Sequence, residues 1–551
     1  MSTTFQRARR LPLLIFATLL LALPVLAQAA TTVFYSDLDS GPNTGGLNNK
    51  GVFVTVWGKG FGTSQGTVTV GGGQADNYLT WSDTKVTFQL GANAQTGNIV
   101  VRTAAGQNSN GVAFTVRSGR ILFVTSNGTG NGAYATPMSP YVVYSGMQAG
   151  DTYYFRAGTY DKDYDTANWN ESNYNLGSGK GGTSGNPVAF VGYPGETAII
   201  RAVSGAGRAN FHFRDGDAVT AHANYVTIAN LTLQGEQNCI DGGADTSAYN
   251  EKAKSGAAGL RIVGNVLSAS YSNNTMTGML TIGGDGARVY GNELKNTGTS
   301  PPINNNHGMY IQVGSSDIDV GWNYLHDLRM GHVIQVHTDG AFVYTNIRIH
   351  DNVITAANVD DSRGINIGNA LSGTYGAIYN NVLYNLGQDF SGIAIYWGDW
   401  KVYNNTLYNV KASSGMIWVS GQYGGHPTAQ LYNNILYSNG SSPYAGAEQG
   451  ASMSQLTLSN NLYYNRGTGP TQDTAPVNGD PQFVNAVGGN FRLQSSSPAI
   501  DRGSSVVNTV VTMDGDGVSR PQGGAFDIGA FESSGSGTGL PKPQGLTVIK
   551  Q

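Results

Sequence analysis

Between residues 225 and 465 one pattern of apolar and polar positions returns nine times: a strand of alternating apolar residues, then an Asn, then a second apolar stretch. The copies read YVTIANLTL, GLRIVGNVL, ARVYGNEL, IDVGWNYL, IRIHDNVI, AIYNNVLY, KVYNNTLY, QLYNNILY and LTLSNNLYY. Their aligned Asn residues are Asn230, Asn265, Asn292, Asn323, Asn352, Asn381, Asn405, Asn434 and Asn461, at spacings of 35, 27, 31, 29, 29, 24, 29 and 27 residues. A repeat of this length marks a stacked architecture in which no unit can bury its apolar face alone. Each unit is all strand, which predicts the coils of a right-handed, single-stranded parallel β-helix. The nine Asn are expected in one line along one corner, hydrogen-bonding one another and the turn backbone.

Most coils carry a further strand opening Gly-x-x-Ile: HGMYIQVG (307–314), GHVIQVHT (331–338), RGINIGN (363–369), SGIAIYWG (391–398) and SGMIWVSG (414–421). Period-two alternation turns Met309, Ile311 and Val313 inward and Tyr310 and Gln312 outward. The same outward column is expected to hold Gln335 and His337, then Asn366, then Tyr396. Coils stack about 4.8 Å apart, so residues distant in sequence become neighbours on one face.

Residues 32–117 alternate differently. GVFVTVWGKGFGT (51–63), GTVTVGG (66–72), KVTFQL (85–90), GNIVVRT (97–103) and GVAFTV (111–116) predict a separate small β-sandwich. The run Gly58-Lys59-Gly60-Phe61-Gly62 after a strand, followed by TGNIVVRT, resembles the immunoglobulin-like IPT/TIG domains, which implies a spacer or docking module without chemistry. GDTYYFRAGTY (150–160) and GTSGNPVAFVGYPGETAII (182–200) resemble the first rungs of secreted β-helix proteins of the pectate-lyase-like superfamily, with Pro194-Gly195 turning into a strand at Ala198–Arg201. GDPQFVN, FRLQSSSPAIDRG and DGDGVSRPQGGAFDIGAFE, within 480–532, resemble a C-terminal segment of such proteins and are expected to cap the last coil. The predicted layout is a signal segment over 1–30, a sandwich over 32–117, a β-helix with its cap over 119–532, and a Gly/Ser/Pro tail over 533–551, all-β throughout.

Composition agrees. Charged residues make up only 12% of the chain, while Gly numbers 78, which suits short strands joined by tight turns. Arg7, Arg9 and Arg10, an apolar run over 11–26 and AQA at 27–29 read as an export signal cleaved near Ala29 or Ala30. Secretion, to the periplasm or cell surface, with no membrane span in the mature chain is therefore expected, and a monomer. Loss of those arginines takes the formal charge from −4 to −7, which argues against nucleic acid but leaves room for a basic patch that meets an acidic polysaccharide. The single Cys239 forms no internal disulfide and reads as a small core residue.

Candidate chemistry falls on the outer face of the middle coils. His307, Tyr310, Arg329, His337 and Arg363 flank or lie on the Gly-x-x-Ile strands. They are the residue types that β-elimination at a uronate needs: an Arg to neutralise the carboxylate, a base for the C5 proton and an acid for the leaving oxygen. Tyr310 and His337 are the acid and base candidates, Arg329 and Arg363 the carboxylate partners, and His307 an orienting or second basic group. Gln312, Gln335 and Asn366 line the same face. Tyr396 and Trp400 are expected to be platforms for sugar rings, whereas Trp397 and Trp418 fall at inward parity. Asp360 and Asp361 could hold Ca²⁺ with Asp339, or serve as the paired carboxylates of a glycoside hydrolase. The pairs His326-Asp327 and His350-Asp351 read as turn residues beside the Asn corner.

The resemblance to β-helix enzymes stops at the fold. DPHD of the alginate C5-epimerases, Arg-x-Pro-x-x-Arg of the pectate lyases, Gly-His-Gly of the polygalacturonases, and the Lys and Arg phrases of the chondroitinase B and alginate lyase group are missing. Fold alone does not give function. The readings that remain are an exported polysaccharide lyase acting on an acidic glycan, a glycoside hydrolase using Asp360 and Asp361, and a non-catalytic glycan-binding surface or matrix protein.

Overall fold

In the computed structural model of the chain, residues 30–533 are described apart from 165–171, 178, 203–208, 214–221, 237, 244–255, 270–277, 296–305, 313, 329–330, 338–341, 357–362, 388 and 391. The export signal, the tail, Val313, Arg329, Asp339, Asp360 and Asp361 lie outside the described residues. No helix among the described residues is long and apolar enough to cross a membrane.

The repeat folds as a parallel β-helix with three walls. The first wall holds 12 parallel strands from Ile121–Val124 to Leu456–Ser459, the second 12 from Gly158–Tyr160 to Val477–Asn478, and the third 10 from Ser172–Asn175 to Ala445–Glu448. One coil visits them in order, as in Ile347–His350, Val353–Thr355 and Arg363–Ile367. Ile349, Ile354, Ile365 and Ile367 of that coil all point into one continuous core. Alternation along each strand is what turns these side chains inward, and burial against the coils above and below is what stabilises them. The single described α-helix, Pro140–Gly146, begins at Ser139, whose side chain accepts from the Tyr141 N–H, and drives Val143 into the first coils.

The corner between the first and second walls is an Asn ladder. Each Asn Oδ1 accepts both the backbone N–H and the side-chain Nδ2–H of the Asn one coil earlier, as Asn381 does from Asn352 at 3.1 and 3.0 Å. Each Nδ2 also reaches back to a carbonyl of the preceding coil, as Asn381 does to Ile349 at 2.8 Å. The ladder runs from Asn265 to Asn461 and ends on Asp473, whose carboxylate takes the place of the next amide oxygen. Asn230 is not in this line. Leu231 occupies its rung and donates its N–H to Asn265 Oδ1, while Asn230 takes the preceding left-handed position (φ 56°). That left-handed position recurs at Gly264, Gly291, Trp322, Asp351, Asn380, Asn404, Asn433 and Asn460. In the first coil Asn serves the turn, whose backbone it tolerates, and not the ladder.

The sandwich, with a four-stranded and a five-stranded sheet, does not stand apart. Its core merges with the outer face of the first wall through Tyr154, Ala189, Val191, Ala229 and Val263. Tyr154 donates its hydroxyl to the Phe53 carbonyl and accepts from the Phe53 N–H, both at 2.8 Å. Arg261 donates to the carbonyls of Ser36 and Asp37, and Phe34 stacks on Trp322 at 5.7 Å. Burial of aromatic area plus charge-assisted hydrogen bonds makes this a rigid seating.

The C-terminal segment straps the side of the helix and does not cap its end. Phe483 and Phe491 cover Val382, Ile435 and Leu462 of the second wall. The chain then climbs the Asn corner, where Asn433, Asn404 and Asn380 bond to Ser504, Asp527 and Met513. It reaches the sandwich at Gly517, which accepts from Thr32 Oγ1, and at Asp516, 3.6 Å from Lys59 Nζ. Aromatic outward residues such as Tyr408 and Tyr437 on the second wall, useless as a surface, are what the strap buries.

Candidate functional site on the third wall

With the sandwich on the first wall and the strap on the second, the third wall carries the polar columns the sequence pointed to. Its inward residues Met309, Ile334, Ile365, Ile393 and Ile417 are in register and lie in the core. One outward column reads His212, Asp241, Thr281, Tyr310, Gln335, Asn366, Ala394 and Trp418. A second, nearer the strand starts, places His332 beside Arg363 and His307 in the coil before. His337, Gln312 and Tyr396 fall in a third column two residues beyond the first.

The centre is a histidine pair, His307 buried and His332 half-buried. The His307 and His332 rings lie 6.2 Å apart at 23°, and the Tyr310 ring is 5.1 Å from that of His307. His307 and Tyr310 are 5% and 7% exposed. Burial pushes the His307 imidazole down to about 3, and the positive charges of His337 and Arg363 add to the shift. Burial, His307, Arg363 and His337 together hold His332 well below the usual range as well. Both rings are therefore neutral near pH 7. His307 hydrogen-bonds the His332 backbone, and its Nδ1 has no partner. An imidazole donating to a carbonyl through its other nitrogen keeps Nδ1 as the lone-pair nitrogen. His332 Nδ1, Arg363 Nε and Asn366 Oδ1 are buried without a partner too. Buried polar atoms are ordinarily paired, so these four, with the bare Trp418 Nε1 two coils from Asn366, mark a face shaped for something else.

Around the centre, Asn366 Nδ2 donates to Gln335 Oε1 at 3.2 Å, and the Arg363 guanidinium lies 5.5 Å above the Phe390 ring. Burial lowers the Arg363 pKa, offset by Tyr396 and Asp389; an Arg stays charged regardless. His337 Nδ1 accepts the Asn369 N–H at 3.1 Å, so in its neutral form this ring offers an N–H from Nε2 and not a lone pair. That arrangement suits donation to a substrate better than the basic role.

Two aromatic expectations are reversed. Trp400 is 2% exposed and lies inside the core, its Nε1 donating to the Trp397 carbonyl, so it is no sugar platform. Its place among Gly376 and Ala429 explains the burial, since only small neighbours in register leave room for an inward indole. Trp418 is in register with Ala394 and Asn366, on the outward side, covered by Phe390 and Tyr396 at 5.9 and 5.4 Å. Tyr396 is half-buried beside it. His332 is the residue that sequence reasoning missed: the Gly-x-x-Ile overlay sets it against Ile365, and the observed register, two residues away, sets it against Arg363.

Elsewhere, Cys239 is a core residue whose thiol burial pushes up to about 12. His350 sits at the Asn corner, but His326 lies at the opposite end of its second-wall strand, at the corner leading to the third wall. Among the described residues no group of three or more His, Cys, Asp or Glu is placed to hold a metal ion.

Residues 39–116 match the IPT/TIG domain family. Among solved structures the chain is similar to the pectate lyase Pel9A, at 14% identity over 75% of this chain and 96% of that one, with a TM-score of 0.43. It is also similar to XylC in complex with xylose (10% identity, 75% and 98% covered, TM-score 0.45). A third is a family 28 exopolygalacturonase of Yersinia enterocolitica (11% identity, 82% and 98% covered, TM-score 0.29). No curated protein matches the chain.

Proposed function

We propose that the protein is a polysaccharide lyase that cleaves an acidic, uronate-containing glycan by β-elimination on the third wall. The observation that carries this reading is the buried His307 with the half-buried His332 and Arg363, with bare polar atoms and cationic neighbours, beside the Tyr310 ring. Arg363 supplies a cation that can meet a carboxylate, although Asp389 already acts on it. Arg363 and His332 receive it, which withdraws electrons from C5 and makes its proton removable. His307 Nδ1 takes that proton as the C4–O4 bond breaks and the C4=C5 double bond forms. Tyr310, or His337 through its N–H, gives a proton to the departing O4.

Binding itself strengthens the base. After burial, repulsion from His337 and Arg363 helps hold the His307 pKa down, and an arriving carboxylate offsets that repulsion. A base too weak in the empty site thus moves toward working pH when substrate is seated.

Incubation with a panel of uronate polysaccharides, read by the ultraviolet absorbance of the unsaturated product, tests the proposal. Turnover is expected on at least one polymer, and His307→Ala or Tyr310→Phe should lower it by roughly 10²-fold or more. New reducing ends without that absorbance would replace the lyase by a hydrolase, for which Asp360 and Asp361 are the first residues to substitute. Binding without cleavage would leave a glycan-binding protein.

A further inference from the structure

The second wall carries a cavity of about 430 Å³ that the proposed lyase chemistry does not use. Its origin is a local change of side-chain size. In the outward column of this wall His326, Thr355, Tyr384, Tyr408, Tyr437 and Tyr464 are in register. At the adjoining corner Asp327, Ala356, Asn385 and Asn409 follow in the same coils. One coil therefore contributes Thr355 and Ala356 where its neighbours contribute rings, amides and a carboxylate. The flanking coils are two spacings, about 9–10 Å, apart, and Tyr384 leans over one side of that gap to hydrogen-bond the Thr355 side chain. The strap stops short of it: Phe491 packs on Tyr384 and Tyr408, and Gly489 faces the Tyr384 hydroxyl.

The lining is amphipathic. Tyr324 and His326 stack with ring centroids 4.2 Å apart at 21°, giving one aromatic surface, and Tyr384 gives another. Asn409 Nδ2 donates to Asn385 Oδ1 at 2.9 Å, so the rim is a pair of amides with donors and acceptors to spare. The charged groups are matched among themselves: His326 Nε2 lies 3.1 Å from Glu293 and its Nδ1 2.8 Å from Asp327, and Lys295 lies 2.9 Å from Glu293. Aromatic faces take the C–H side of a sugar and amides take its hydroxyls. In contrast to the third wall, no unmatched cation lies here among the described residues.

From this juxtaposition we infer that the cavity is a second carbohydrate site, one that takes a neutral pyranose unit of a glycan. It is independent of the chemistry on the third wall, and it opens at the corner that leads from the second wall to the third.

The test fills the cavity with the residue its own column prefers. Thr355→Tyr repeats Tyr384, Tyr408 and Tyr437 one coil earlier, so the coil accommodates it. Binding of xylohexaose, cellohexaose and galactohexaose is measured by calorimetry on the full chain, for the wild type, Thr355→Tyr, Thr355→Ser and His332→Ala. At least one of the three should bind the wild type, the Ser variant and His332→Ala alike, and at least tenfold more weakly to Thr355→Tyr. If Thr355→Tyr fails to fold, as judged by circular dichroism, Tyr324→Ala replaces it with the same expectation. The inference is overturned if none of the three binds the wild type up to millimolar concentration, if Thr355→Tyr or its replacement binds as the wild type does, or if His332→Ala abolishes binding. None of these outcomes bears on lyase turnover, so the two readings stand or fall separately.

Discussion

Replacing one rung of the Asn ladder should cost far more than its size implies. Asn381→Ala removes the Oδ1 that accepts from the Asn352 N–H and Nδ2–H, and the Nδ2–H groups that reach Asn405 Oδ1 and the Ile349 and Tyr379 carbonyls. All the Asn residues involved are buried, so water does not replace these bonds. A buried polar group left unpaired costs about 1–3 kcal/mol. The Asn352 N–H is stranded outright, and its Nδ2–H and the Ile349 carbonyl each lose a partner, which places the total at about 3–6 kcal/mol. That is a large part of the roughly 5–15 kcal/mol by which proteins are stable. Because a coil contacts only its neighbours, the loss should be local at first. Hydrogen exchange followed by mass spectrometry should show faster exchange in the peptide holding the Asn352 amide, and guanidinium unfolding should shift to lower concentration. Asn230→Ala, off the ladder, should lose the bond to Asp37 and strain Ala in the left-handed position, for about 2 kcal/mol in all. A loss below about 1 kcal/mol for Asn381→Ala, with unchanged exchange at Asn352, would refute the ladder as a stabilising device.

Two further outcomes follow from the same structure. Burial disfavours a charge on His350, but hydrogen bonds to Asp319 and Asp351 at 2.7 and 2.6 Å outweigh it and raise the pKa to about 9. A group raised above its unfolded value of about 6.5 stabilises fully below that pH and loses the contribution as pH rises through about 9. His350→Gln should therefore flatten the fall in melting temperature between pH 6.5 and 9. The two aromatic platform candidates separate in the same way: Trp400→Ala should destabilise by about 3–5 kcal/mol in chemical denaturation, the range for a large buried ring. Tyr396→Ala should leave stability within about 1 kcal/mol of wild type and raise KM on any cleaved glycan.

Much of the architecture was legible before any coordinate. Alternation on GHVIQVHT and RGINIGN is a property of a single strand, so the inward set Ile334, Ile365 and Ile367 could be read directly. Within the site, His307, Tyr310 and Arg363 were found for the same reason: each stands at a marked place in a repeated phrase. His332 was passed over because a strand-opening residue looks like a turn residue until the next coil places Arg363 against it. Trp400 was misjudged because its strand belongs to the first wall, where register with Gly376 and Ala429 makes room for an indole inside.

What the sequence determined by itself is the coil: its strands, its inward faces, its Asn turns and the sandwich ahead of it. These depend on local conformation and on period-two alternation, and a repeat writes them many times over. Only the tertiary structure decided which residues of different coils share a column. Along the first wall coil lengths vary from 24 to 38 residues, so loops absorb the difference and one residue of shift moves a side chain from core to surface. The docking of the sandwich, the path of the strap and the one-coil gap at Thr355 and Ala356 were likewise settled in space, because each joins surfaces that are hundreds of residues apart or a coil away, and no local pattern records them.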